Sequence, residues 1–234
     1  MRKFYIAVIS LILLHLASAC NHPKDSESRV WLHRANAIAK AQHFQYNYPG
    51  FEIDVHYNDS ANAFLIKHDF DEYSTLTLDE WCAAVDNISN MGVWFDFKNL
   101  SAENRDAALN YLKDIRTKHH LQGKLYVESS MYSELPVFQE AGFKVSYYIP
   151  FFFPDEVDSA KYERFRNSIR NAIETGVNAI SGYDFQYDFM KKEFPDHTKL
   201  IWTTSLDTVY HAQLVEKLNA DRKVDVILIP NEQY

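Results

Sequence analysis

Phe51-Glu52-Ile53-Asp54-Val55 reads as an extended segment in which two carboxylates interrupt an apolar run. Strand side chains alternate between faces, so Glu52 and Asp54 point to the same side. At the C-terminal end of a strand, such a pair can hold a hard divalent cation. A second stretch, Leu65-Ile66-Lys67-His68-Asp69, brings a histidine onto the next extended segment, and His33 closes the one before. Two histidines and paired carboxylates around one mouth point to phosphodiester chemistry.

Outward from this pair, strand and helix signals alternate along the chain. Extended segments are expected at Val30 to Leu32, Phe51 to Tyr57, Gly92 to Phe97, Lys124 to Glu128, Phe143 to Ile149, Ala179 to Tyr183, Leu200 to Thr203 and Val224 to Ile229. Ala63 to Lys67 adds a short extended piece. Helices are expected over Asn36 to Gln45, Leu78 to Ile88 behind a Thr77/Glu80 capping box, Ser101 to His119, Tyr132 to Ala141, Asp158 to Thr175 and Thr208 to Leu218. Gly142 and Gly176 stop two of them. Gln186 to Phe194 carries the weakest signal. Eight strands with helices between them predict an α/β fold, the closed (β/α)8 TIM barrel. An open doubly wound sheet usually has a glycine-rich first turn, and here the chain reads His33-Arg34-Ala35-Asn36 instead.

The first twenty residues read as a targeting segment rather than fold. Arg2 and Lys3 precede an apolar run from Phe4 to Leu16, and Leu16-Ala17-Ser18-Ala19-Cys20 has the form of a lipoprotein cleavage site. Cys20 is the expected lipidation site, residues 21–29 a polar tether and residues 30–234 one barrel domain. The expected location is the bacterial cell envelope, at the outer membrane or surface, with the folded domain soluble and held by its N-terminal lipid. The formal net charge is -8 and becomes more negative by two without Arg2 and Lys3, which argues against nucleic-acid binding. Cys82 is the only other cysteine, so the processed chain can form no internal disulfide. Sixteen phenylalanines and fifteen tyrosines supply core instead. A monomer is expected.

In a barrel, reactive groups stand at the C-terminal ends of strands. Those positions carry His33 and Arg34, then Glu52, Asp54 and His56, then His68 and Asp69, then Asp96 and Lys98, then Glu128, with Trp202 further on. Acids inside apolar strands are costly unless paired or bound to metal. Glu52, Asp54 and Asp96 are the candidate ligands of one divalent cation, and oxygen-only ligation favours Mg²⁺ or Ca²⁺. Arg34 and Lys98 are candidates for phosphate binding. His33 and His68 are candidates for proton transfer or nucleophilic attack. Asp69 is placed to orient a histidine, while Glu128 and Trp202 are expected behind or around a substrate. After the fifth long strand, Tyr147 to Pro154 is an aromatic loop suited to a lipid or an apolar pocket.

Taken in order, His33-Arg34, Glu52-Ile53-Asp54, His68-Asp69 and Asp96-Phe97-Lys98 resemble the glycerophosphodiester phosphodiesterase family, within the phosphatidylinositol-phospholipase-C-like superfamily. The resemblance runs from about Val30 to Pro230. It implies a TIM barrel, acid–base roles for His33 and His68, metal ligation by Glu52 and Asp54, and hydrolysis of a small phosphodiester or lipid headgroup. Ala35 departs from the family's His-Arg-Gly opening, and Asp96 stands where glutamate is usual. Asp96-Phe97-Lys98 and His33-Arg34-Ala35-Asn36-Ala37-Ile38 are instead similar to the spider-toxin sphingomyelinase D branch, and the short form resembles the animal menorin-like branch. The sphingomyelinase D branch implies an alternative, a phospholipase-D-like lyase that releases a cyclic phosphate. A different class also remains, a noncatalytic surface lipoprotein binding a small ligand or glycan. Histidines pointing away from the cleft would favour it.

Overall fold

The computed structural model describes residues 28–204 and 208–231. Cys20, the targeting segment, most of the tether and Asp207 lie outside the described residues. The elements run β1 (Val30–Leu32), α1 (Ile38–Phe44), β2 (Gly50–Asn58), β3 (Ala63–Ile66), α2 (Leu78–Ala84), β4 (Gly92–Phe97), α3 (Arg105–Lys118), β5 (Leu125–Ser129), α4 (Pro136–Glu140), β6 (Lys144–Tyr148), α5 (Ser159–Glu174), β7 (Ala179–Tyr183), α6 (Tyr187–Glu193), β8 (Thr198–Trp202), α7 (Thr208–Asn219) and β9 (Val224–Ile229). Eight of the nine strands are parallel, in the order β1-β9-β8-β7-β6-β5-β4-β2, and a β1–β2 pairing closes the ring. This is the (β/α)8 barrel expected from the strand count.

The remaining strand, β3, runs antiparallel along the far half of β2, from Val55↔Ile66 to Asn58↔Ala63. The long strand β2 therefore joins the barrel wall through its first half and carries a hairpin through its second. The hairpin delivers Lys67 and His68 back toward the mouth, with Lys67 N donating to the Asp54 carbonyl at 3.1 Å.

Two apolar cores result. A large one fills the space between barrel and helices, and a smaller one lies inside the barrel around Trp31, Trp94, Tyr126, Leu200, Trp202 and Leu228. The barrel floor is closed by Trp31, which lies across the glycines of two neighbouring strands. A Cβ on Gly50 would stand 2.4 Å from the Trp31 ring, and one on Gly92 2.2 Å. Only glycine leaves room for the indole at these two positions.

Helix boundaries depart from expectation where side chains compete for backbone groups. The Thr77/Glu80 capping box starts α2, but the helix ends at Ala84 rather than Ile88. Val85 turns extended and is buried, and Asp86-Asn87 take a turn in its place. Helix α3 begins at Arg105 rather than beside Ser101. The Asn104 side chain accepts from Ser101 N at 2.9 Å and donates to the Asn99 carbonyl at 2.7 Å, fixing a turn ahead of the helix. Pro136 opens α4, so the expected Tyr132 to Ala141 helix divides into a 3₁₀ turn and a short α-helix. Gln186 to Phe194 does form a helix, α6, entered through a 3₁₀ turn. Among the described residues, no helix is long and apolar enough to cross a membrane.

Candidate active site

Register on the barrel wall brings the acids together. Asp54 of β2, Asp96 of β4 and Glu128 of β5 are successive Cα partners, and Glu52 sits one inward-facing position below Asp54. Glu52, Asp54 and Asp96 are all buried. One carboxylate oxygen from each of the three lies within 4.8 Å of the others. Twice a metal–oxygen distance of about 2.1–2.5 Å is the same span. Glu52 Oε1 has no hydrogen-bond partner, while Oε2 accepts from Arg34 N at 2.7 Å. An oxygen-only cluster with a buried, unpartnered carboxylate oxygen fits a hard divalent cation. Asp54 is fixed from behind by Asn36, which donates Nδ2–H to Oδ2 at 2.7 Å and accepts from Asp54 N at 3.0 Å.

Cations face these acids. Lys98 Nζ donates to Asp54 Oδ1 at 2.9 Å and also to Asp96 Oδ2. Arg34 has φ 51°, in the left-handed region that a side chain rarely adopts. This backbone turn lets its amide reach Glu52 while its guanidinium lies 3.8 Å from Asp54 Oδ2 and 2.6 Å from His68 Nε2. Arginine only donates, so His68 Nε2 accepts and the ring proton sits on Nδ1, toward Asp69 Oδ1 at 2.7 Å. His56 supports the same segment, donating from Nε2 to the His68 carbonyl at 3.1 Å. His33 Nε2 lies 3.6 Å from Glu52 Oε2.

The protonation states follow from burial and charge. Burial, then the nearby Arg34 charge, pushes His33 down to about 4, so its imidazole is neutral at neutral pH. Burial raises Glu52, reinforced by the charges of Asp54 and Asp96. Burial also raises Asp96, against the pull of Lys98. Burial works against ionised Asp54, but the Lys98 charge and the hydrogen bonds from Lys98 and Asn36 outweigh it, and its carboxyl lies below the ordinary range. Burial likewise opposes charge on Lys98, and Asp96 and Asp54 overcome it, holding the ammonium protonated.

All of these groups except Glu52 line a cavity of about 730 Å³ at the C-terminal mouth of the barrel. One wall carries His33, Arg34, Lys40, Asp54, His68, Asp96 and Lys98, and the opposite wall carries Tyr148, Tyr183 and Trp202. Both histidines face the cleft that holds the acids. Glu128, expected at the pocket, lies beneath it: it is fully buried, neither carboxylate oxygen has a hydrogen-bond partner, and the Ser181 hydroxyl beside it donates to the Tyr147 carbonyl. Burial, then the charge of Asp96, raises Glu128 well above the ordinary carboxylate range. Asp69 stands on the exposed rim. Sequence reasoning passed over Lys40 as a pocket residue. It reaches back from α1 to donate to the His33 carbonyl at 3.0 Å, and its signal was a lysine in the first turn of the helix after a histidine-ended strand. Thr203 and Asn231 also line the cavity without having been expected there.

No family model matches the sequence, and no curated protein matches it. Solved structures do. A glycerophosphodiester phosphodiesterase from Parabacteroides distasonis aligns over 88% of this chain and 93% of its own, with a TM-score of 0.58 at 16% identity. An Oleispira antarctica phosphodiesterase, solved in complex with the product sn-glycerol-3-phosphate, aligns over 87% and 92%, with a TM-score of 0.57 at 14% identity. A calcium-dependent phosphoinositol-specific phospholipase C from a Gram-negative Pseudomonas sp aligns over 88% and 90%, with a TM-score of 0.52 at 13% identity. At these identities the likeness is one of fold.

Proposed function

We propose that this barrel is a metal-dependent phosphodiesterase acting on a glycerophosphodiester or a phospholipid headgroup. One observation carries the reading: three buried carboxylates with oxygens inside a common coordination span stand beside two histidines, an arginine and a lysine at a single cleft. The fold likeness to a phosphodiesterase that holds sn-glycerol-3-phosphate supports it.

Glu52, Asp54 and Asp96 are the residues that would hold one Mg²⁺ or Ca²⁺ ion. Such an ion, when bound, supplies Lewis-acid polarisation of a phosphoryl oxygen. Arg34 and Lys98 bind the remaining non-bridging oxygens and offset the charge that builds on them. A substrate phosphate draws Arg34 away from His68 and frees Nε2. Neutral His33 then takes the proton from the attacking hydroxyl or water, and His68, once its freed Nε2 has taken up a proton from solvent, gives that proton to the leaving oxygen as the P–O bond breaks. His33 suits the role of base because burial keeps it neutral. Asp69 and His56 keep the His68 ring and backbone in place. The chain is proposed to work as an exported monomer anchored through Cys20, a reading supported by the Met1 to Cys20 sequence pattern. Mass spectrometry of the membrane-extracted chain and of Cys20→Ser tests that anchor.

The test of activity is hydrolysis of glycerophosphocholine, lysophospholipid and sphingomyelin with Mg²⁺ and with Ca²⁺, read by phosphorus NMR. Turnover that chelation abolishes is the expected result. A cyclic phosphate among the products assigns the lyase alternative. No turnover of any substrate overturns the enzyme reading in favour of a binding protein.

A further inference from the structure

The aromatic wall of the cleft does not end at the cleft. Trp202, Tyr148 and Tyr183 line it, with Tyr148 and Tyr183 ring centres 4.6 and 5.3 Å from Trp202. Tyr183 continues outward by stacking on Phe185 at 5.2 Å, and Phe185 stacks on Phe153 at 4.7 Å. Phe151 packs its edge against Tyr183 at 5.4 Å. The result is an unbroken run of rings from the reactive centre to the outer surface. At its outer end Phe151 and Phe153 are 56% and 43% exposed. Their neighbour Phe152 does the ordinary structural work, buried against Phe165 at 4.3 Å and Phe189 at 5.0 Å. The two exposed rings are therefore not needed to complete the shell.

The loop that presents them is held rather than loose. Buried Gln186 donates to the Pro150 carbonyl at 2.9 Å and accepts from Tyr183 N at 3.1 Å, tying the β6 and β7 loops together. Among the described residues, six of the seven large exposed apolar side chains follow the C-terminal end of a strand, and only Tyr46 stands at the opposite end of the barrel. Apolar surface concentrated around one opening and continuous with the pocket marks a binding surface.

We propose that this aromatic run is an acyl- or alkyl-chain subsite, so that the substrate is a phosphodiester carrying a hydrocarbon chain. The inference rests on the phosphodiesterase reading and selects the lipid over the water-soluble substrate. The phosphodiester lies between the acids and the histidines, and the chain leaves along Tyr183 and Phe185 to Phe151 and Phe153. Set against Lys67, the mouth's loops carry Asp69, Asp71, Glu72, Asp155 and Glu156, a net negative rim that favours a zwitterionic amphiphile over an anionic one.

The test compares two phosphodiesters that share a headgroup, dodecylphosphocholine below its micelle concentration and glycerophosphocholine. Binding to the full chain and to the F151S/F153S variant is read by intrinsic tryptophan fluorescence, which requires no turnover. The parent is expected to bind the chain-bearing ligand at least about tenfold more tightly, a factor that two buried methylene groups suffice to supply. The variant is expected to lose that preference while hydrolysing glycerophosphocholine within about twofold of the parent, since neither changed ring lines the cavity that holds the reactive groups. Equal affinity of the parent for both ligands, binding of neither, or an undiminished preference in the variant overturns the subsite. Chain-selective binding by a parent that hydrolyses neither ligand overturns the phosphodiesterase reading and leaves the subsite standing.

Discussion

Both ends of the barrel hold acidic side chains, buried at the mouth and half-buried at the floor, and they treat them in opposite ways. At the floor, Asp225 receives the Tyr126 hydroxyl at 2.5 Å, Lys124 at 2.6 Å and Lys144 at 3.2 Å. Burial opposes its charge, but these partners hold the carboxyl down to about 2. Toward the mouth, Glu52 Oε1 and both oxygens of Glu128 have no partner, and one lysine serves both Asp54 and Asp96. The floor's acid is matched and belongs to the architecture. The mouth's acids outnumber their counter-charges, which stabilises nothing by itself and makes sense as a place prepared for a cation.

The comparison breaks most visibly through activity. His33→Ala is expected to lower turnover by about 10²–10⁴-fold with an unchanged circular dichroism spectrum and melting temperature. Parent-like kinetics in that variant would remove His33 from the chemistry. At the floor, Gly92→Val drives a side chain into the Trp31 ring, and a loss of about 1–3 kcal/mol or more is expected in urea unfolding. A neutral outcome would mean that Trp31 relocates and the floor is not tightly closed.

Glu128→Gln separates the two ends by sign. An acid whose folded pKa is raised contributes stability below its unfolded value and loses it as pH rises toward the folded value. The metal-free variant is therefore expected to be more stable than the parent by about 1–3 kcal/mol at neutral pH, with the gain fading toward pH ~4, near the unfolded carboxyl value. Urea midpoints in a chelator across that range measure it, and a pH-independent difference contradicts the assignment. Asp225→Asn runs the other way and is the smallest effect, a loss of about 1 kcal/mol. The parent's advantage is present above the unfolded carboxyl value of about 4 and is lost as pH falls through about 2.

Much of the mouth was legible in the chain because strand period and strand-end position are local. The Glu52/Asp54 spacing, the strand carrying Asp96 and Lys98, and the eight-strand count each follow from residues close in sequence. The floor was not legible. That Trp31 needs Gly50 and Gly92 depends on the stagger of three strands, which no single segment encodes. Glu128 stands in the same row as Asp54 and Asp96 yet lies under the cleft instead of on its wall, which register alone does not decide. The helix start displaced to Arg105 turned on Asn104 engaging its own loop. Within Phe151-Phe152-Phe153, composition could not say that the middle ring goes in and the outer two stay out.

The Trp31 floor has a kinetic consequence. A barrel corked at one end has a single doorway, so whatever is processed inside must leave by the route the next molecule uses to arrive. On the proposed phosphodiesterase reading, release therefore precedes reloading, and the phosphate-bearing product would compete directly with fresh substrate. Product inhibition of the competitive type is thus a matter of architecture, set by an indole lying across two glycines.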